Sequence, residues 1–337
     1  MNFKSIDLKA YKNDPLQRKK AASKVGSWIF KAFRIFFLLS VGYIIIYPLL
    51  SMISYSLISR VDLYDPSIVW VPKHFTASNY TVAVEAMGYF KALWNTVYKC
   101  VFSALLEVAS CSLVAYGLAR FKFKENGLLF GIVLLTAIVP VQVYIIPSYL
   151  NYRFFELGGV IPFINENIVG PIGGWFGNPE LAIPTNLINS PLAFYLPALF
   201  GVGIRSGLFI FIYRQFFLGL PKELEEASWI DGAGPFKTFL RVVIPSSGVV
   251  FLTVTIFAII WYWNDYYQSI MFFNRDFPLA VSLNGITGVL QGMGYAYEKS
   301  LGPTMAGCLL FIAPMLLMYA ILQKQFIASI DRVGIVG

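Results

Sequence analysis

Glu225-Glu226-Ala227-Ser228-Trp229-Ile230-Asp231-Gly232-Ala233-Gly234 lies between two strongly apolar stretches, and Val242-Val243-Ile244-Pro245 follows a short run later. Pro221, an acidic first turn and glycines after the last periodic residue are the start and stop signals of a short surface helix, expected near 222–234. Leu220, Leu224, Ala227 and Ile230 recur on one side of it, with Lys222, Glu223 and Glu226 elsewhere. Gly232 allows a sharp exit, so that the next helix starts at Pro235. Such a polar island between apolar stretches calls for a partner on the aqueous side.

The apolar stretches make the rest of the chain a membrane protein. Of 337 residues, 57% are hydrophobic and 13% charged, and the mean hydropathy is +0.66. An ordinary soluble domain is about a quarter charged. A helix needs about 20 mainly apolar residues to cross a bilayer. Six stretches qualify, near 34–57, 92–118, 128–150, 191–217, 246–270 and 301–323. The expected fold is therefore an all-α integral membrane protein of six transmembrane helices, with the surface helix between the fourth and the fifth. The expected divisions are a basic segment 1–33, a membrane domain 34–326 with an external loop 151–189 and the surface-helix loop 218–245, and a tail 327–337.

Lys and Arg set the orientation. Nine lie in the first 34 residues, and Arg120, Lys122, Lys124, Arg214, Lys222, Lys237, Arg241, Lys324 and Arg332 flank the same side. That side holds eighteen against six on the other, so both termini and the surface helix are expected in the cytoplasm. The basic residues are scattered over loops, which argues against nucleic-acid binding despite the net charge of +8. The long first span is not expected to be a cleaved signal peptide.

Three cysteines without metal-type spacing, and one histidine, His74 in an external loop, indicate neither a metal site nor a disulfide framework. No Gly-Lys dipeptide occurs, so the phosphate-cradling P-loop is absent and this chain carries no ATPase of its own. Inside the spans lie Lys99, Glu107, Arg205 and Asp265. Lys99 and Glu107, eight residues apart on one face, suit a structural salt link or a contact to a partner subunit as well as transport chemistry.

The spacing of the opening stretch resembles the permease subunits of bacterial ABC importers, which carry Glu-Ala-Ala, three residues, Gly, nine residues, then Ile-x-Leu-Pro. Glu226-Ala227-Ser228, Gly232 and Val242-Val243-Ile244-Pro245 keep every interval, with Ser228, Val242 and Ile244 as departures. Residues 90–326 are further similar to the maltose-type carbohydrate branch. The matching stretches are Asn95-Thr96, Ala115-Tyr116-Gly117-Leu118-Ala119-Arg120-Phe121, Pro140 and Pro147, Arg214-Gln215-Phe216-Phe217 before Pro221-Lys222-Glu223-Leu224, and Trp263-Asn264-Asp265-Tyr266. The tail departs, lacking the branch's Gly-rich ending.

The resemblance implies a bacterial inner or plasma membrane subunit that transports and does not catalyse. It implies a second homologous permease as partner, two copies of a cytoplasmic ATPase that bind ATP and Mg, and a solute-binding protein outside. No cofactor is expected on this chain. Glu223, Glu225, Glu226, Ala227, Ser228, Asp231, Gly232 and Pro245 would couple to the ATPase, moving the permease pair between inward and outward access.

Aromatic residues make up 17% of the chain. Trp261, Trp263, Asn264, Asp265 and Tyr266 gather polar and aromatic groups in the fifth span, and such platforms beside amides and carboxylates suit sugars. The same residues also suit contacts between spans. The loop 151–189, rich in Gly and Pro, reads either as a docking segment or as a tolerated insertion. Rival readings are an importer of another small solute, a secondary transporter and a membrane scaffold.

Overall fold

The computed structural model describes residues 15–65, 71–156, 159–175 and 182–334. The outer parts of the expected terminal segments, 1–14 and 335–337, and positions 157–158 and 176–181 of the expected loop, lie outside the described residues.

The chain divides into two units, residues 1–76 and 77–337. The first is dominated by α1, Pro15–Ser56, which carries no charged residue beyond Arg34 and is apolar on every face from there on. A helix hydrophobic all round belongs in lipid or a large core. It runs unbroken through the boundary expected at residue 33, because 15–33 contain no helix-stopping signal. In the loop that follows, His74 is no bystander: its ring Nδ1 lies 2.7 Å from Asp62, and its backbone N–H donates to the same carboxylate at 2.7 Å. The His74 hydrogen bond holds the Asp62 carboxyl below the usual carboxylate range, against an opposing effect of burial.

The second unit is organised around α3, Tyr89–Arg120, which follows the short α2, Ser78–Met87. The unit further comprises α4 (Asn126–Ile138), α5 (Val141–Arg153), α6 (Leu192–Leu199), α7 (Ser206–Gly219), α8 (Glu223–Ile230), α9 (Gly248–Trp263), α10 (Tyr267–Phe272) and α11 (Leu301–Gly334), of which α6, α7 and α9 pack on α3. On α3 the buried face reads Thr96, Lys99, Cys100, Ser103, Ala104, Glu107, Ser110 and Cys111. Small and polar residues at three- and four-residue intervals let helices approach closely and bond across the contact, the packing mode available where lipid is as apolar as leucine. Cys100 donates to the Ile259 carbonyl at 3.2 Å, so it serves packing, as its sequence context indicates.

Only part of the expected span pattern appears. Among the described residues three helices are long and apolar enough to cross a membrane alone: 26–56, 89–120 and 301–323. The expected third span is broken into α4 and α5, bent by 100°. The fourth is split into α6 and α7, and the fifth ends at Trp263, with α10 beginning at Tyr267. A second sharp bend, 85°, separates 235–246 from α9. At the other end α11 passes through the expected boundaries at 323 and 326 to Gly334. The expected loop 151–189 is helical from 160 to 175, and its ends are fastened: the Phe155 N–H donates to Thr185 O and the Leu187 N–H to Tyr152 O, each at 2.8 Å.

Candidate functional site

A break in a membrane helix frees backbone N–H and C=O groups, which lipid cannot satisfy, so irregular backbone at that depth is buried in protein or lines a cavity. Here three breaks meet. At the first, Pro140 lacks an N–H and holds Val139 extended, which ends α4. At the second, Gly201 with φ +70° and Arg205 with φ +64° turn the chain between α6 and α7. At the third, Asn264 to Tyr266 separate α9 from α10.

These breaks border one cavity. α4, α7 and α9 have 13, 14 and 16 residues, which at 1.5 Å each place the breaks about 20, 21 and 24 Å from the helix ends nearest the surface helix. Each distance exceeds half of a hydrocarbon core about 30 Å thick. The cavity has a volume of about 490 Å³ and is lined by residues of all three breaks, among them Thr136, Tyr144, Gly203, Arg205, Asn264 and Gln268.

The walls hang on α3. Glu107 accepts from the Ser206 hydroxyl at 2.5 Å at the start of α7. Ser110 donates to the Ala198 carbonyl at 2.5 Å, at the end of α6. Lys99 donates to Ser269 at 2.7 Å and lies 3.7 Å from the Asp265 carboxylate, at the start of α10. The suggested link between Lys99 and Glu107 is therefore absent, because each turns to a different wall. Gly203 and Gly207 allow the close approach: a Cβ at Gly203 would meet the Tyr262 hydroxyl at 2.5 Å, and one at Gly207 the Val133 carbonyl at 2.6 Å.

Of the five aromatic and polar residues expected on the pathway, Trp261, Asn264, Asp265 and Tyr266 line the cavity. Trp263 points the other way. It is buried, with its ring 5.9 Å from that of Phe311 and its indole N–H donating to the Phe311 carbonyl at 3.3 Å. One residue per helical position turns the side chain by about 100°, which separates neighbours in a polar run. Asp265 also does structural duty, accepting from the Ser269 backbone N–H at 2.9 Å and hydroxyl at 2.7 Å. Arg205, Tyr144 and Gly203 belong to the site without having been singled out for it; the local signal was the glycine pair 201 and 203 beside an in-span arginine.

At the opposite end, the surface helix is the eight-residue α8, shorter than 222–234 because the chain turns at Gly232, φ +78°. Glu223, Glu226, Ala227 and Asp231 are exposed, as are Leu224, Ile230 and Pro245. Ser228 is half-buried, its hydroxyl 3.1 Å from that of Thr238. Glu225 differs from its neighbours. Its carboxylate is buried, 2.6 Å from the Arg120 guanidinium, and accepts from the Tyr116 hydroxyl at 3.1 Å. The close Nε approach is out of line for a hydrogen bond; Arg120 donates instead from its terminal nitrogen to the Leu220 carbonyl at 3.0 Å. Glu225, expected among the coupling residues, is thus turned inward, where it fastens α8 to the end of α3.

Broken apolar helices around a cavity with a few polar groups, on a helical chain with a helix-bearing loop at the other end, fit the class of membrane permeases. Residues 111–332 match the family described as binding-protein-dependent transport system inner membrane component, and the chain belongs to that family. The arabinooligosaccharides transport system permease protein AraQ of Halalkalibacterium halodurans is 24% identical over 95% of this chain and 100% of its own length. The melibiose/raffinose/stachyose import permease protein MelC of Bacillus subtilis is 29% identical over 81% of this chain and 86% of its own. The fold is shared with a solved bacterial ABC transporter involved in the import of the acidic polysaccharide alginate, with a TM-score of 0.67 and 20% identity, covering 89% of this chain and 98% of that one.

Proposed function

We propose that this chain is one of two permease subunits of an ATP-driven importer of sugars or oligosaccharides, with the cavity at the three helix breaks as its share of the translocation path. The observation that carries this reading is the meeting of the three breaks at one cavity, in a chain whose similar proteins bear the names of oligosaccharide permeases. Its six crossings are then α1, α3, the α4–α5 pair, the α6–α7 pair, the α9–α10 pair and α11, with both termini in the cytoplasm. α8 and its exit at Gly232 serve as the coupling helix. Leu224, Trp229, Ile230 and Phe236 leave apolar surface open on this loop, beside exposed Glu223 and Glu226, as a docked ATPase would require.

Two ATPase copies hold ATP and Mg, and a solute-binding protein delivers cargo from outside. ATP binding draws the loops together and opens the cavity outward; hydrolysis resets it. Purification with co-expressed neighbours tests the assembly. A second permease and an ATPase are expected to accompany the chain, and Glu226→Lys is expected to release the ATPase while keeping the permease. Recovery of the chain alone, indifferent to the substitution, would return the secondary-transporter and scaffold readings.

A further inference from the structure

We propose that Arg205 and Trp261 form a receptor for a carboxylate, so that the preferred cargo is an oligosaccharide containing a uronic acid unit. This rests on the carbohydrate reading above and names a substrate class within it.

Four ionisable side chains stand at or behind the cavity, and three are engaged. Asp265 is turned to Lys99, to the Ser269 N–H and hydroxyl, and to the Gln268 N–H at 3.2 Å. Lys99 is itself buried between Asp265, Ser269 and the ring of Phe194, 4.7 Å away. Glu107 is wholly buried behind Gly203 and accepts from the Ser206 hydroxyl. Arg205 is the exception. It lines the cavity, it is exposed, and no carboxylate among the described residues lies within salt-bridge distance of it.

Its guanidinium carbon sits 4.4 Å from the centre of the Trp261 ring, and its one hydrogen bond is a long one, 3.4 Å, to the Ala137 carbonyl. Stacking holds the planar fork while leaving most of its donors free, the arrangement that recognises a carboxylate through two parallel hydrogen bonds. The backbone at Arg205 is left-handed, φ +64°, a conformation that is unfavourable for a residue with a Cβ. An unpaired cation at this depth is expensive and favours an incoming anion. Beside it, Asn264, Gln268 and Tyr144 offer neutral groups for sugar hydroxyls. The volume lies within the range of about 300–1,000 Å³ typical of small-molecule sites.

The test is equilibrium binding of trigalacturonate, and of its carboxyl-reduced neutral counterpart, to the importer purified with its partners in detergent without nucleotide. The acidic probe is expected to bind about 10-fold tighter, the scale of one charge-assisted hydrogen-bond pair. Arg205→Gln should bring the two affinities together, Arg205→Lys should keep part of the preference, and added salt should shrink it. Equal binding of both probes to the unaltered importer, or an equal loss of both in Arg205→Gln, would overturn the proposal while leaving a carbohydrate cargo in place. Binding of neither would remove both readings. Loss of the second permease from the Arg205→Gln preparation would assign the guanidinium to a subunit contact and overturn the proposal as well.

Discussion

α3 and the three broken spans are solutions to the same solvent, yet α3 runs 32 residues without a break whereas each of the others stops part-way. α3 keeps its backbone bonds within itself and spends side chains, Lys99, Glu107, Ser110 and Arg120, on fastening neighbours. The broken spans instead give up backbone bonds, and their freed polar groups surround a cavity. A bilayer thus tolerates polar atoms on two terms: paired between helices, or gathered around water and cargo. In this chain the first arrangement holds the second in place.

The largest test of that division is Glu225→Ala, which leaves the Arg120 guanidinium buried without its counter-charge. A loss of about 3–5 kcal/mol is expected, read as a lowered unfolding temperature of the purified assembly. The double variant Arg120→Met with Glu225→Leu should recover most of it. A cost no greater than that of exposed Glu223→Ala would show that α8 is not fastened to α3 in this way.

Next comes Gly207→Val, which pushes side-chain atoms into the α4 backbone. About 1–3 kcal/mol of destabilisation is expected, with Gly234→Ala, in open space, as the silent control. Unchanged stability in Gly207→Val would place α4 and α7 farther apart than described.

The smallest effect sharpens the two faces of the fifth span. Trp263→Phe removes one hydrogen bond to Phe311 and should cost about 1 kcal/mol, leaving cargo affinity as it was. Trp261→Ala should do the reverse, weakening cargo binding with little change in unfolding temperature. Altered affinity in Trp263→Phe would reverse the assignment of faces.

The continuous helices were legible in the sequence, because α1, α3 and the start of α11 are long apolar runs. The breaks were not, although Pro140, Gly201, Gly203 and Asn264-Asp265 stood in plain view. A hydropathy window near 20 residues averages over three or four irregular ones when both flanks are apolar. Lys99 and Glu107 share a face but stand about 12 Å apart along it, too far to bridge, so partners on other helices took both. The acidic first turn of α8 read as a helix start whose carboxylates Glu223, Glu225 and Glu226 all serve coupling. Only the fold shows that Arg120, about a hundred residues earlier, arrives beneath Glu225. The polar run around Trp263 marked the right region, while the direction of each side chain depended on where α11 lies.

The unbroken course of α3 also sets a mechanical ratio. Glu107 lies about 20 Å along the helix from Arg120 and about 12 Å from Lys99. If α3 rocks as a stiff lever about its contact with α7, a tilt of roughly 5° carries the Arg120 end about 1.7 Å and the Lys99 end about 1 Å the other way. A displacement at the loop end would thus be geared down on its way to the cavity, and distance given up at one arm would return as force at the other.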